Sequence, residues 1–179
     1  MSSSAAAMND VIKAAEAWSN NWAWSLPLIA STVLVHAIGL VLIQKYIVLR
    51  LPVGDHQSIV AFASVTVVSA ILLTVLLGLE SGAWAAAYLA VDARPDFASA
   101  MLYSLSAMTS YGHANVYLAE HWQLMGALEA LNGVMLFGLT TAFLFSVLHS
   151  SFQISATESA PKAAPVPVDP VTASIVVDP

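Results

Sequence analysis

The sequence predicts an all-α membrane protein with three transmembrane helices and one re-entrant helix that leads into a polar loop. Three observations carry this expectation. Charged residues make up 9% of the 179-residue chain and hydrophobic residues 59%, whereas an ordinary globular domain is roughly one quarter charged. Apolar runs at about 26–49, 58–79 and 122–148 are each long enough, at about 1.5 Å per residue, to cross a hydrocarbon layer of roughly 30 Å. Between the second and third runs lies a helix-like piece, residues 95–108, that is too short to cross. After it comes the polar stretch Thr109-Ser110-Tyr111-Gly112-His113-Ala114-Asn115.

Taken in order, residues 1–25 read as an N-terminal segment. Its first eight residues or so are small and polar and are expected to be disordered, and then Val11, Ile12, Ala15, Trp18 and Trp22 recur at helical spacing, with Asp10, Lys13 and Glu16 elsewhere around the wheel. That pattern fits an amphipathic helix lying in the interface, with Trp18, Trp22 and Trp24 at headgroup depth; the same tryptophans equally suit the mouth of the next helix. No basic residues precede an apolar core, so the start does not read as a cleaved signal peptide, and the whole chain is read as mature.

The membrane domain is expected over residues 26–149. Pro27 suits the first turn of the first span, where its missing N–H costs little. His36, alone at midspan, is expected to bond a neighbouring helix rather than to carry protons. The connection at 44–57 holds Lys45 and Arg50, two of the five basic residues, and the positive-inside rule puts it in the cytoplasm. The second span then runs outward. The N-terminus and the polar loop are external, and Glu80 to Asp92 forms an outer connection with Trp84 and Tyr88 in an aromatic belt. Glu80, Asp92, Asp96 and Glu120 would concentrate cations at that mouth. Residues 150–179, rich in Ser, Ala, Pro and Val, are expected to be a disordered cytoplasmic tail of a multi-pass protein of the cell (inner) membrane.

Composition also narrows the functional class. With no cysteine there are no disulfides or thiolate metal sites. A formal net charge of −6 without any Lys/Arg cluster argues against nucleic acid as a partner. His36, His56, His113, His121 and His149 show no paired metal spacing, and no nucleophile motif is present. The chain is therefore expected to be neither an enzyme nor a cofactor protein, and no Arg-rich helix suggests voltage sensing.

Irregular backbone at membrane depth survives only where protein encloses it or water reaches it. One chain with three spans cannot surround the loop at 109–115, so assembly is implied. Glu129, well inside the third span, is the costliest residue, since an ionised carboxylate there costs about 2.5–3.5 kcal/mol on insertion scales. It is expected to be a buried acid braced by hydroxyls of the short helix, such as Ser104 or Ser106, with a carboxylate at a cavity edge as the other reading.

This order of membrane helix, half-crossing helix, loop and membrane helix resembles the pore unit of the tetrameric potassium-channel superfamily, whose filter reads TTVGYGD. In that frame Thr109 and Ser110 take the two Thr places, Tyr111 the Val, Gly112 the first Gly, His113 the Tyr, Ala114 the second Gly and Asn115 the Asp. The likeness covers about residues 58–148 and extends to Gly133, at the place of an inner-helix hinge, and to Phe137-Gly138-Leu139. It implies a homotetramer in the bilayer with filter carbonyls from Thr109 through Ala114. Gly133, Phe137 and Thr141 would line the pore or gate, Glu129 would lie behind the filter, and the carbonyl end of the short helix would favour a cation. His113 and Ala114 depart from the pattern. The expected function is accordingly passive conduction of potassium, or weakly selective conduction that also passes sodium, and an imidazole at the filter makes conductance fall in acid. The alternative is a non-conducting, pore-like membrane scaffold or accessory subunit.

Overall fold

In the computed structural model residues 2–48, 59–112 and 117–158 are described, and all regular structure among them is helical. Helix α1 is Ser2–Ile43 and continues into a wider π-type turn, Gln44–Val48. Helix α2 is Ile59–Ala90, α3 is Phe97–Met108, and a short 3-10 turn, Glu120–Trp122, leads into α4, Gln123–Glu158. Three helices are long and apolar enough to cross a membrane, and Phe97–Met108 is the shorter apolar one. The protein is thus an all-helical membrane-embedded chain.

Interhelical hydrogen bonds order the bundle. Asn21 of α1 bonds the His121 carbonyl and accepts from the Met125 N–H; further along, Thr32 meets Asn132, and His36 meets Thr140. The partners advance in the same direction on both helices, so α1 and α4 run parallel. In α2, which runs the other way, Glu80 reaches His36. Helices in lipid gain little from apolar contact with one another, because lipid tails are equally apolar, and such polar bridges fix their pairing and register.

Several element boundaries differ from the sequence expectation. The start of the chain is helical from Ser2 where disorder was expected, and no break separates an interfacial helix from a first span: α1 is continuous and carries Pro27 in its interior. A mid-helix proline loses one hydrogen bond and costs about 3 kcal/mol in water, but Asn21 and Thr32 tie the helix to α4 on either side of it and hold the axis through.

Helix α2 does not end at residue 79. It runs to Ala90, so Glu80, Trp84 and Tyr88 are buried in the bundle instead of forming an external connection and an aromatic belt. The Ala83, Ala85, Ala86 and Ala87 run favours helix and leaves the surface low enough for α3 to approach. Helix α3 starts at Phe97 and ends, as expected, at Met108. Helix α4 extends to Glu158, which places residues 150–158 in helix where a disordered tail was expected; the rest of that tail, residues 159–179, lies outside the described residues.

Candidate functional site

Helix α3 is built to be held between α2 and α4. Asp96, in extended conformation, caps its first turn by accepting from the Ser99 N–H at 2.9 Å and from the Ser99 hydroxyl at 2.8 Å. These hydrogen bonds, from the backbone first and the hydroxyl second, hold the Asp96 carboxyl below its ordinary value. Ala100, Tyr103, Ser104, Ala107 and Met108 form its buried face. Around it Trp84, Tyr88, Leu118, Trp122, Met125 and Leu136 complete the core, and Tyr103 meets Tyr88 edge to face at 5.4 Å between centroids.

The depth of α3 is set by its last residue. A Cβ at Gly133 would overlap the Met108 carbonyl oxygen and Cα, so only glycine lets the two backbones touch. On the opposite side the Ser81 hydroxyl donates to the Met108 sulfur at 3.0 Å. Gly133 lies ten residues past the start of α4, so the end of α3 sits about 15 Å along that helix, at 1.5 Å per residue. Beyond it the chain turns back. Arg94 donates to the Tyr117 carbonyl at 2.7 Å and the Ala119 N–H donates to Ala93 at 3.3 Å, which brings the segment home to the end of the bundle it started from.

The start of the expected filter is a helix cap. Thr109 is right-handed, Ser110 has φ of 55°, and Gly112 has φ of 87°. The Ser110 N–H donates to Ala107 and the Tyr111 N–H to Ser106, at 3.2 and 3.1 Å. Those two bonds form a Schellman closure with serine at the left-handed place that glycine usually fills. The Thr109 hydroxyl donates back to the Leu105 carbonyl at 2.6 Å, so it bonds its own helix. Thr109, Ser110, Tyr111 and Gly112 are all exposed on the single chain, Tyr111 at 83%. His113, Ala114 and Asn115 lie outside the described residues.

Behind this cap sits the Glu129 carboxyl, fully buried. Tyr88 donates to one of its oxygens and Ser104 contacts the other. The Ser104 hydroxyl also lies 2.8 Å from the Ser81 carbonyl. Ser104 has one hydrogen and two acceptors to serve, and a carbonyl cannot donate. The Ser81 carbonyl lies in the interior of α2 and already takes a helical N–H, so the Ser104 hydroxyl is free to donate to Glu129, and Tyr88 and Ser104 brace the carboxyl from two helices. Ser106, the other expected brace, instead donates to the Leu102 carbonyl.

A second buried polar group crosses three helices. His36 Nδ1 lies 3.1 and 3.2 Å from the two Glu80 oxygens, and its Nε2 lies 3.0 Å from the Thr140 hydroxyl. His36 therefore bonds neighbouring helices, while Glu80 joins no acidic mouth. Of the pore-lining candidates, Gly133 is covered by Met108 within the chain, whereas Phe137 and Thr141 are exposed on α4.

Sequence reasoning missed Tyr88, Ser81 and the Glu80 pairing. The available signal was the run of alanines after Gly82, which favours a continuing helix, although Ser81-Gly82 reads as a turn pair. Comparison with known proteins gives no match to this chain, whether by family model, curated protein or solved structure.

Proposed function

We propose that four copies of this chain assemble in the bilayer as a passive cation channel of the potassium-channel superfamily, with the hairpin around α3 as the re-entrant pore segment. One observation supports this reading above the others. A 12-residue helix reaches about 15 Å along α4 and ends in peptide groups that its own chain leaves uncovered, and the backbone then returns to the end it came from. In lipid such peptide groups need enclosure or water, and four copies about one axis supply both. The helix end adds roughly half a negative charge to the shared cavity, which favours cations over anions. Potassium is the ion the filter frame suggests, with sodium also passing.

The experiment is reconstitution of the purified chain in planar bilayers, with reversal potentials read under potassium, sodium and calcium gradients. A reversal potential that follows the potassium gradient supports the reading; assembled protein with no ion-dependent current refutes it. The second reading, a non-conducting scaffold of the same shape, is favoured by a specific feature. The N–H groups of Ser110 and Tyr111 fold back onto α3, which bends the first expected filter residues around the helix end. On that reading the particle assembles and stays silent.

A further inference from the structure

The first half of α1 stands clear of the bundle. The topmost contact of α1 with α4 is at Asn21, and from Ser4 to Asn20 every residue but Ala17 is exposed. Those residues rise about 25 Å beyond the contact, at 1.5 Å per residue. Because the helix is continuous with the part that packs on α2 and α4, the segment shares the axis of a spanning helix and cannot lie flat on a headgroup surface.

Its side chains continue the packing seam. Within the bundle, α1 uses Asn21, Ser25, Ile29, Thr32, His36, Gly39 and Ile43 to face its neighbours, at spacings of three and four residues. The same spacing carried upward falls on Met8, Val11, Ala15 and Trp18, which are exposed on the single chain, Trp18 meeting only the Trp22 ring of its own helix at 6.3 Å between centroids. The outward positions change character at the same height. Lower down they are Leu34, Ile38 and Val41, suited to lipid; higher up they are Asn9, Asp10, Lys13 and Glu16, suited to water. An apolar seam of period 3.5 with charges confined to the outer positions is the pattern of a helix that pairs with helices.

We propose that residues 4–20 pair in parallel with the same segment of a second copy of this chain, forming a helical bundle outside the bilayer. A copy is the occupant the structure favours. Copies inserted in one orientation hold their α1 axes parallel and at equal height, so Val11 meets Val11 and Ala15 meets Ala15 with no register to search. Among the described residues no other segment covers the seam, and α4 ends at the opposite end of the bundle. The proposal shares with the pore reading the requirement that copies assemble, and with nothing else in it.

The chain has no cysteine, so single introduced thiols report directly. Val11→Cys, Ala15→Cys and Lys13→Cys variants of the full chain are oxidised in native membranes with copper phenanthroline and run without reductant. Val11→Cys and Ala15→Cys are expected to migrate mostly as disulfide-linked dimers and Lys13→Cys as monomer. Equal cross-linking at all three positions, adducts to other proteins in place of dimers, or monomer at Val11 and Ala15 in a particle of multimeric mass each overturns the pairing. The pore reading fails separately: seam cross-links in a particle without current leave the bundle standing and remove conduction.

Discussion

At the scale of single residues, Glu129 and Gly133 set where α3 ends. Glu129 accepts from Tyr88 and from Ser104, and an amide of the same shape keeps the first bond through its carbonyl and turns its NH₂ toward the Ser104 oxygen. Glu129→Gln is therefore expected to melt closer to the parent chain than Glu129→Ala does. Glu129→Ala leaves two buried hydroxyls short of a partner at about 1–3 kcal/mol. Thermal unfolding of the purified protein in detergent reads both, and a Gln variant as damaged as the Ala variant would mean that the amide keeps none of these hydrogen bonds. The glycines offer a matched pair. A Cβ at Gly133 meets the Met108 backbone, which cannot step aside, whereas at Gly138 it meets nothing within 4 Å. Gly133→Ala is expected to cost about 1–3 kcal/mol by overpacking and Gly138→Ala essentially nothing, by the same melting measurement.

At the scale of elements, α3 depends on its cap and α1 on its bridges. Hydrogen bonds from Ser99 hold the Asp96 carboxyl below its ordinary value. Its contribution to folding is thus complete above the unfolded carboxylate range, near pH 4, and is lost as pH falls through the lower folded value. Asp96→Ala is expected to lower the melting temperature at neutral pH and to converge with the parent chain in acid, which a pair of pH-dependent melting curves checks. The His36 bridge follows a different rule. Removing one member of a buried pair strands the other and costs about 3–5 kcal/mol, so His36→Leu should destabilise strongly. His36→Leu combined with Glu80→Leu should lose much less than the two single variants summed. A double-mutant cycle on unfolding free energies decides it, and additive losses would mean that His36 and Glu80 do not act as a pair.

At the scale of the whole molecule, the bundle is incomplete as a single chain. One side of α4, with Leu131, Val134, Met135, Phe137 and Phe145, is uncovered, as are the peptide groups at the end of α3. Lipid can cover the first set but cannot satisfy the second. The particle extracted in lipid nanodiscs is accordingly expected to have the mass of four chains by native mass spectrometry, and a monomer would leave the loop without enclosure and end the pore reading.

Much of this architecture was legible in residue order. Apolar runs marked three long helices, the length of residues 95–108 marked a helix too short to cross, and the price of a lone carboxylate at Glu129 required hydroxyl partners such as Ser104. Those features are local or energetic necessities, written in composition and spacing. The extension of α2 to Ala90, the passage of α1 through Pro27 and the burial of Glu80 were not legible, because each depends on a partner more than forty residues away or on a different helix. A proline or a carboxylate reads as a helix end until His36, Asn132 or Asn21 is known to stand opposite. By itself the sequence determined that this chain is helical and membrane-embedded; only the tertiary structure decided which polar residues face one another, since hydrogen bonds between helices are fixed by packing and leave no periodic trace.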